Sequence, residues 1–438
     1  MLPPCLFFAN LCARSEGVNL VRGLPLAVSL LLAAPLLPAQ SFYLHDSDRV
    51  TFYGDSITAQ RFYTRDVQDF VATRYPGLKV DFHNAGVPGD KVNGGYAGDA
   101  TTRVARDVKP WSPTVITVML GMNDGGYVPP DPKIFGEYQT GYSTLLGLLR
   151  DAAPSARITL LENTPYDEIT HGTEFTGFMA TTEQNARSTP ALATREHLPI
   201  VDTYSPTVEL LQRAKLANPS FASLLVADRI HPAEPTHWIL AAALMKAWHV
   251  DPVVSSVTIV SDARSVINSQ RTNVTRVTRD GTRIEWDQMD QALPLPFNFD
   301  NELMNFVLSV SDLFSADLEM LRVRALRAGE YTLRIDSMEI GSFSAQQLEN
   351  GINLATMKTP MWQQARGYDG ELEQRSILES ADLTLTAGTH VADRLDGSKI
   401  LREGEAEFEQ KAKDNLHIAS HHYVLTYMGE KNAGVVSR

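Results

Sequence analysis

Between Asp48 and Val250 the chain alternates short apolar runs with longer amphipathic ones, and this alternation restricts the fold more than any other feature. The runs at 50–53, 79–82, 114–120, 157–161 and 199–201 are rich in Val and Ile and too short for helices, so they read as buried strands. The segments 59–75, 99–108, 134–151, 175–197 and 232–248 carry helical spacing. Strand followed by helix, repeated, implies an α/β fold with a parallel sheet covered on both faces. In such a sheet the reactive groups gather at the carboxyl ends of the strands.

After Asp251-Pro252 the texture changes. Residues 257–260, 273–279, 283–286, 321–326 and 330–335 alternate like half-exposed strands, and Arg327-Ala328-Gly329 suits a hairpin between the last two. Residues 301–313 have helical spacing through Leu303, Phe306, Val307 and Val310. From Ser344 the chain reads as helical again, closing with the charged segment 401–416, where Glu407/Lys411 and Glu409/Lys413 suit ion pairs along a solvated face. The expected organisation is a leader at 1–40, a catalytic domain at 41–250, a β-rich accessory region at 251–345 and a mainly helical region at 346–438.

The leader expectation rests on residues 24–39, an apolar run preceded by Arg22 and followed by Gln40-Ser41, which fits a secretory signal peptide and a secreted or periplasmic product. Both cysteines, Cys5 and Cys12, lie within it, so the remainder has no thiol for a disulfide, a zinc site or a nucleophile. A net charge of −13 repels phosphate backbones, which weighs against nucleic-acid binding. No stretch reaches about 18 uninterrupted apolar residues, so no ordinary membrane-spanning helix is expected. Asn273-Val-Thr275 matches a glycosylation sequon, with nothing else in the chain to support its use.

Four blocks carry chemistry, all at strand-to-helix junctions or at the entry to the last helix of the alternating region. Gly54-Asp55-Ser56 follows the first strand, placing a serine hydroxyl at a helix N-terminus whose backbone N–H groups can stabilise an oxyanion. Alone, that tripeptide is equally good turn and cap chemistry. Asn84-Ala-Gly86-Val-Pro-Gly89-Asp90 follows the second strand, Gly121-Met-Asn123-Asp124 the third, and Asp228-Arg-Ile-His231-Pro232 precedes the last helix, with Pro232 suiting its first turn. A doubly wound sheet can bring these loops to one edge.

The ordered set GDS, NxGxxG, GxND and DxxH resembles the SGNH (GDSL-type) hydrolase superfamily over about residues 50–248. That resemblance implies a flavodoxin-like three-layer α/β/α fold and a serine esterase mechanism without metal or cofactor. It assigns Ser56 as nucleophile, His231 as general base and Asp228 as the residue orienting His231. The Ser56 and Gly89 backbones and the Asn123 amide would form the oxyanion hole. Family members often have Leu after the GDS serine, where this chain has Ile57, and a glycine where Thr236 precedes His237. The chemistry agrees, since a serine hydroxyl needs an imidazole to take its proton and the imidazole needs an anion to fix its tautomer.

Other candidates are explained more simply. Asp55 and Asp124 suit loop capping better than acid–base work, and His237 suits packing. His417 and His421 are spaced as a helical turn, but a metal pair there lacks a third ligand. Met357, Met361 and Trp362 read as core. The resulting expectation is a secreted esterase for short acyl groups, with acetylated carbohydrate, a small-molecule or polysaccharide ester, as substrate. A lipase, lysophospholipase or thioesterase, or a binding protein on an inactive hydrolase fold, are the alternatives.

Overall fold

The computed structural model describes residues 41–171, 177–388 and 391–430. The expected leader at 1–40, with both cysteines, lies outside the described residues. The alternating region forms strand β1 (Asp48–Gly54), helices α1 (Ser56–Ala59) and α2 (Phe62–Arg74), β2 (Val80–Gly86), a small hairpin β3 (Gly94–Gly95) and β4 (Gly98–Asp99), then α3 (Ala100–Asp107) and β5 (Val115–Met119). It continues through α4 (Pro132–Ala152), β6 (Arg157–Leu161), α5 (Phe178–Glu196), β7 (Ile200–Val201), α6 (Tyr204–Ala217), α7 (Pro219–Ala222) and α8 (Glu234–Ala247).

Five strands form one parallel sheet in the order β2-β1-β5-β6-β7. Side chains alternate between its faces, as a strand's period of two requires. Val50, Phe52, Val115, Met119 and Leu161 join one core with α2, α6 and α8, while Tyr53, Ile116, Val118, Ile158 and Leu160 join another with α3, α4 and α5. The strand order reverses direction between β1 and β5, so a crevice opens beyond the carboxyl ends of those two strands.

The expected helix at 59–75 is two helices. Arg61 between them has φ 66°, a left-handed conformation that breaks the first turn from the rest. Pro232 stands ahead of α8 instead of in its first turn, where Pro235 is found.

Beyond residue 251 come β8 (Val253–Val260), β9 (Ser265–Gln270), β10 (Thr272–Asp280), β11 (Arg283–Asp290), α9 (Glu302–Val310), β12 (Leu318–Arg324), β13 (Glu330–Ile335), β14 (Met338–Ser344) and α10 (Ala345–Asn350). The last elements are β15 (Ile352–Asn353), α11 (Pro360–Gly388), α12 (Val391–Asn415) and β16 (Ser420–Gly429). Two sheets, β10-β11-β16-β13-β14 and β15-β12-β8-β9, enclose one core that includes Val257, Trp286, Leu321, Leu333 and Tyr423.

Two expectations are corrected here. Residues 321–326 and 330–335 do not form a hairpin: β12 pairs in parallel with β8 in one sheet, and β13 pairs with β14 and β16 in the other. Both strands present apolar residues to the shared core, so burying them on opposite walls covers more apolar surface than a two-stranded ribbon would. Among the described residues the last helix ends at Asn415, and β16 then inserts between β11 and β13. Trp286 and Tyr331 are buried, as are Met361 and Trp362. Among the described residues no helix is long and apolar enough to cross a membrane.

Candidate active site

Ser56 is the first residue of α1, directly past the end of β1. Asp55 caps that helix by accepting the Ile57 N–H at 3.0 Å, which fixes the turn that presents the serine. Burial, with Asp124 and Asp90 nearby, pushes the Asp55 carboxyl up to about 7 in spite of that bond. Asp124 also serves a loop, accepting the Val92 N–H at 3.0 Å. Neither carboxylate is paired with the other for acid–base work.

The loop before α8 comes to the same place. His231 Nε2 lies 2.8 Å from Ser56 Oγ, and His231 Nδ1 lies 2.6 Å from Asp228 Oδ2. The other Asp228 oxygen accepts the backbone N–H groups of Ile230 and His231 at 2.9 and 2.8 Å. Partial burial pushes the Asp228 carboxyl up, but the His231 N–H, the His231 ring and the Ile230 N–H outweigh it, so Asp228 lies below the usual carboxylate range. An ionised Asp228 accepts a proton-bearing Nδ1 and leaves Nε2 with a lone pair toward the serine.

The remaining two blocks lie at the ends of β2 and β5. Asn84 does not face the serine: its amide nitrogen donates to the Thr58 carbonyl and to Thr64 Oγ1, and its oxygen accepts the Gly86 N–H. This ties β2 to the helix that carries Ser56. Gly86 packs so closely on that helix that a Cβ there would sit 2.4 Å from the Ala59 nitrogen. Gly89 has φ 72°, the left-handed region open to glycine, and Asn123 donates from Nδ2 to the Asp90 carbonyl at 3.0 Å.

Three residues near the site escaped the sequence reading. Tyr127 donates its hydroxyl to Asn123 Oδ1 at 2.8 Å. Tyr96, 75% exposed, lies against Gly89. Arg103, fully buried, holds Asp90 at 3.0 Å and the Ala85 carbonyl at 2.8 Å, and also contacts Asp107. A signal for Arg103 existed: Ala100, Arg103, Val104 and Asp107 share one helical face, and a cation there marks a buried ion pair.

His417 and His421 are not a helical pair. His417 follows α12, and His421 lies in β16, where its Nδ1 is 2.7 Å from Asp336. No group of three or more metal-ligating side chains converges among the described residues. A groove of about 830 Å³ bordered by β7, α6 and α8 contains none of the site residues.

Known proteins resemble this chain over the segment that carries these residues. Residues 52–239 match the GDSL-like lipase/acylhydrolase family. An acetylxylan esterase of Geobacillus stearothermophilus is 28% identical over 175 residues, covering 39% of this chain and 74% of that protein. A solved structure described as a gut microbial diltiazem-metabolizing enzyme is 24% identical and covers 88% of this chain and 98% of its own, with a TM-score of 0.75. That likeness shows that the fold recurs through the region after residue 251 as well. A serine at a helix start, an imidazole and a carboxylate at the carboxyl edge of a parallel sheet thus lie within a segment, residues 52–239, that is similar to the GDSL-like family of the SGNH hydrolase superfamily.

Proposed function

We propose that the protein is a serine esterase that removes short acyl groups, with O-acetyl on carbohydrate as the preferred substrate class. Ser56 is the nucleophile, His231 the general base and Asp228 the residue that orients it. The Ser56 and Gly89 N–H groups and the Asn123 Nδ2–H stabilise the oxyanion. The observation that carries this reading is the unbroken chain from Ser56 Oγ through both ring nitrogens of His231 to Asp228.

In the reaction Ser56 Oγ attacks the ester carbonyl carbon while its proton passes to His231 Nε2. The carbonyl oxygen takes the negative charge and is held by the three N–H donors. Collapse breaks the bond to the alcohol oxygen, which leaves with the proton from His231. Water then gives a proton to His231 and attacks the acyl-enzyme, releasing the acid and restoring Ser56. The preference for acetyl on carbohydrate is supported by the acetylxylan esterase relative and by the exposed Tyr96 and Tyr127, whose side chains lie beside Gly89 and Asn123. Export by way of residues 1–40 belongs to the same proposal.

The test is hydrolysis of p-nitrophenyl esters of increasing chain length by the protein and by Ser56→Ala. Turnover should be highest on acetate and fall in the variant by about three orders of magnitude or more. Activity retained in Ser56→Ala would remove the serine from its role, and a maximum on long chains would replace the acetyl reading with a lipase.

A further inference from the structure

Asn123 carries an amide whose two ends are chemically opposite, and its neighbours decide which way it faces. The Asp90 carbonyl only accepts, so the Asn123 atom 3.0 Å away is the nitrogen. The other end is then the oxygen, and the Tyr127 hydroxyl 2.8 Å from it is the donor. With one Nδ2–H spent on Asp90, a single Nδ2–H is left for an oxyanion. Rotating the amide by half a turn would set oxygen against the Asp90 carbonyl and lose that bond, while the hydroxyl would have to accept instead of donate.

Tyr127 is itself held in place at some cost. Its φ of 58° is left-handed, an uncommon conformation for a bulky aromatic residue, and its ring lies on Phe178 with centroids 4.9 Å apart. Burial, with Asp55 and Asp228 nearby, pushes its hydroxyl above the usual phenol range, so it stays protonated and able to donate.

We propose that Tyr127 is a positioning residue, its hydroxyl locking the Asn123 amide so that Nδ2–H meets the developing oxyanion. This rests on the esterase reading above and adds a residue to it. The hydroxyl touches neither the serine nor the imidazole, so its loss should act through Asn123 alone.

The experiment is a double-mutant cycle on p-nitrophenyl acetate with Tyr127→Phe, Asn123→Ala and both together. Tyr127→Phe should lower kcat by about 3- to 10-fold, the worth of one ordinary hydrogen bond, with KM within about twofold. Asn123→Ala should lower kcat by about 100-fold or more, and adding Tyr127→Phe to it should change kcat by less than about twofold. Two effects that simply multiply, or a Tyr127→Phe loss expressed in KM, would overturn the positioning role while leaving the esterase reading intact. An Asn123→Ala variant with unchanged kcat would overturn the oxyanion assignment, and the role of Tyr127 with it.

Discussion

His231 and His237 stand six residues apart and meet opposite surroundings. The His231 side chain is one-third exposed and has a carboxylate on one nitrogen and a serine hydroxyl on the other. His237 is fully buried, accepting the Tyr63 N–H on Nδ1 and donating from Nε2 to the Pro232 carbonyl. Burial drives its imidazole down to about 3, and the nearby Arg65 pushes the same way. A histidine neutral in the fold and basic when unfolded stabilises fully above about pH 6.5, and that stability is lost as pH falls toward 3. Between pH 7.5 and 5.5 this one residue should remove about 1.4 kcal/mol of unfolding free energy. Urea unfolding of the protein and of His237→Gln at both values checks it, since the variant should lack that share of the pH dependence. An equal slope in both would show that His237 titrates normally. The four blocks holding Ser56, Gly89, Asn123 and His231 were legible because each is a short run of unusual residues at a strand end or, for His231, at the entry to α8. Tyr127 was not, because a lone tyrosine in a loop has no signature until its partner is known, and Arg103 left only the weaker signal of a cation on the apolar face of its helix.

At the scale of elements, α11 supplies what the first sheet lacks at its β2 edge. An edge strand presents unpaired backbone groups, and here side chains satisfy two of them: Glu379 accepts the Asn84 N–H at 3.0 Å, and Arg375 donates to the Phe82 carbonyl at 2.9 Å. Glu379 also meets Arg61 Nε at 3.2 Å, and Arg61 reaches the carbonyl of Ala59, the last residue of α1. Burial pushes the Glu379 carboxyl up, but Arg61 and Arg375 hold it below its ordinary range, so it is charged. Removing one partner of a buried ion pair leaves the other uncompensated, at about 3–5 kcal/mol. Glu379→Ala should therefore lower the unfolding free energy by about that amount. A denaturation midpoint close to the parent's would mean that water replaces the carboxylate without loss. The first strands and helices were legible from periodicity, because each buries its own face. The tie from residue 379 to residue 84 was not, since contacts between distant segments leave no local pattern. The missing hairpin between β12 and β13 has the same cause: Arg327-Ala328-Gly329 permits a turn, and which sheet each strand joins is decided by a core built from distant parts of the chain.

Over the whole molecule these ties make the boundary near residue 250 a change of texture, not a line of independence. Arg74 at the end of α2 is fully buried, and its partners are Asp317 at 2.9 Å and the Asp251 carbonyl at 2.7 Å. Arg65 on the same helix meets Asp369 at 3.1 Å. Met304, Val307 and Leu308 of α9 belong to the core that α8 shares with the parallel sheet. A protein cut at residue 250 would thus keep Ser56, Asn123, Asp228 and His231 while losing Glu379 from Arg61, the partners of Arg74 and one carboxylate of Arg65. Exposing Arg74 to water relieves its charge, but the apolar side chains that α9 and α11 cover would be opened at the same time, at about 25 cal/mol for each Å². Natural domains hold only about 5–15 kcal/mol in reserve, and losses of this kind at several points exhaust it. Residues 41–250 expressed alone should therefore aggregate or lack a cooperative unfolding transition, and should show no turnover on p-nitrophenyl acetate. Calorimetry and the ester assay on that fragment decide the matter, and a soluble, active fragment with a transition near that of the full chain would refute it. In that event the strands after residue 251 would form a separable module. If the fragment fails, the C-terminal half holds the esterase site together, because its helices close the sheet from which that site projects.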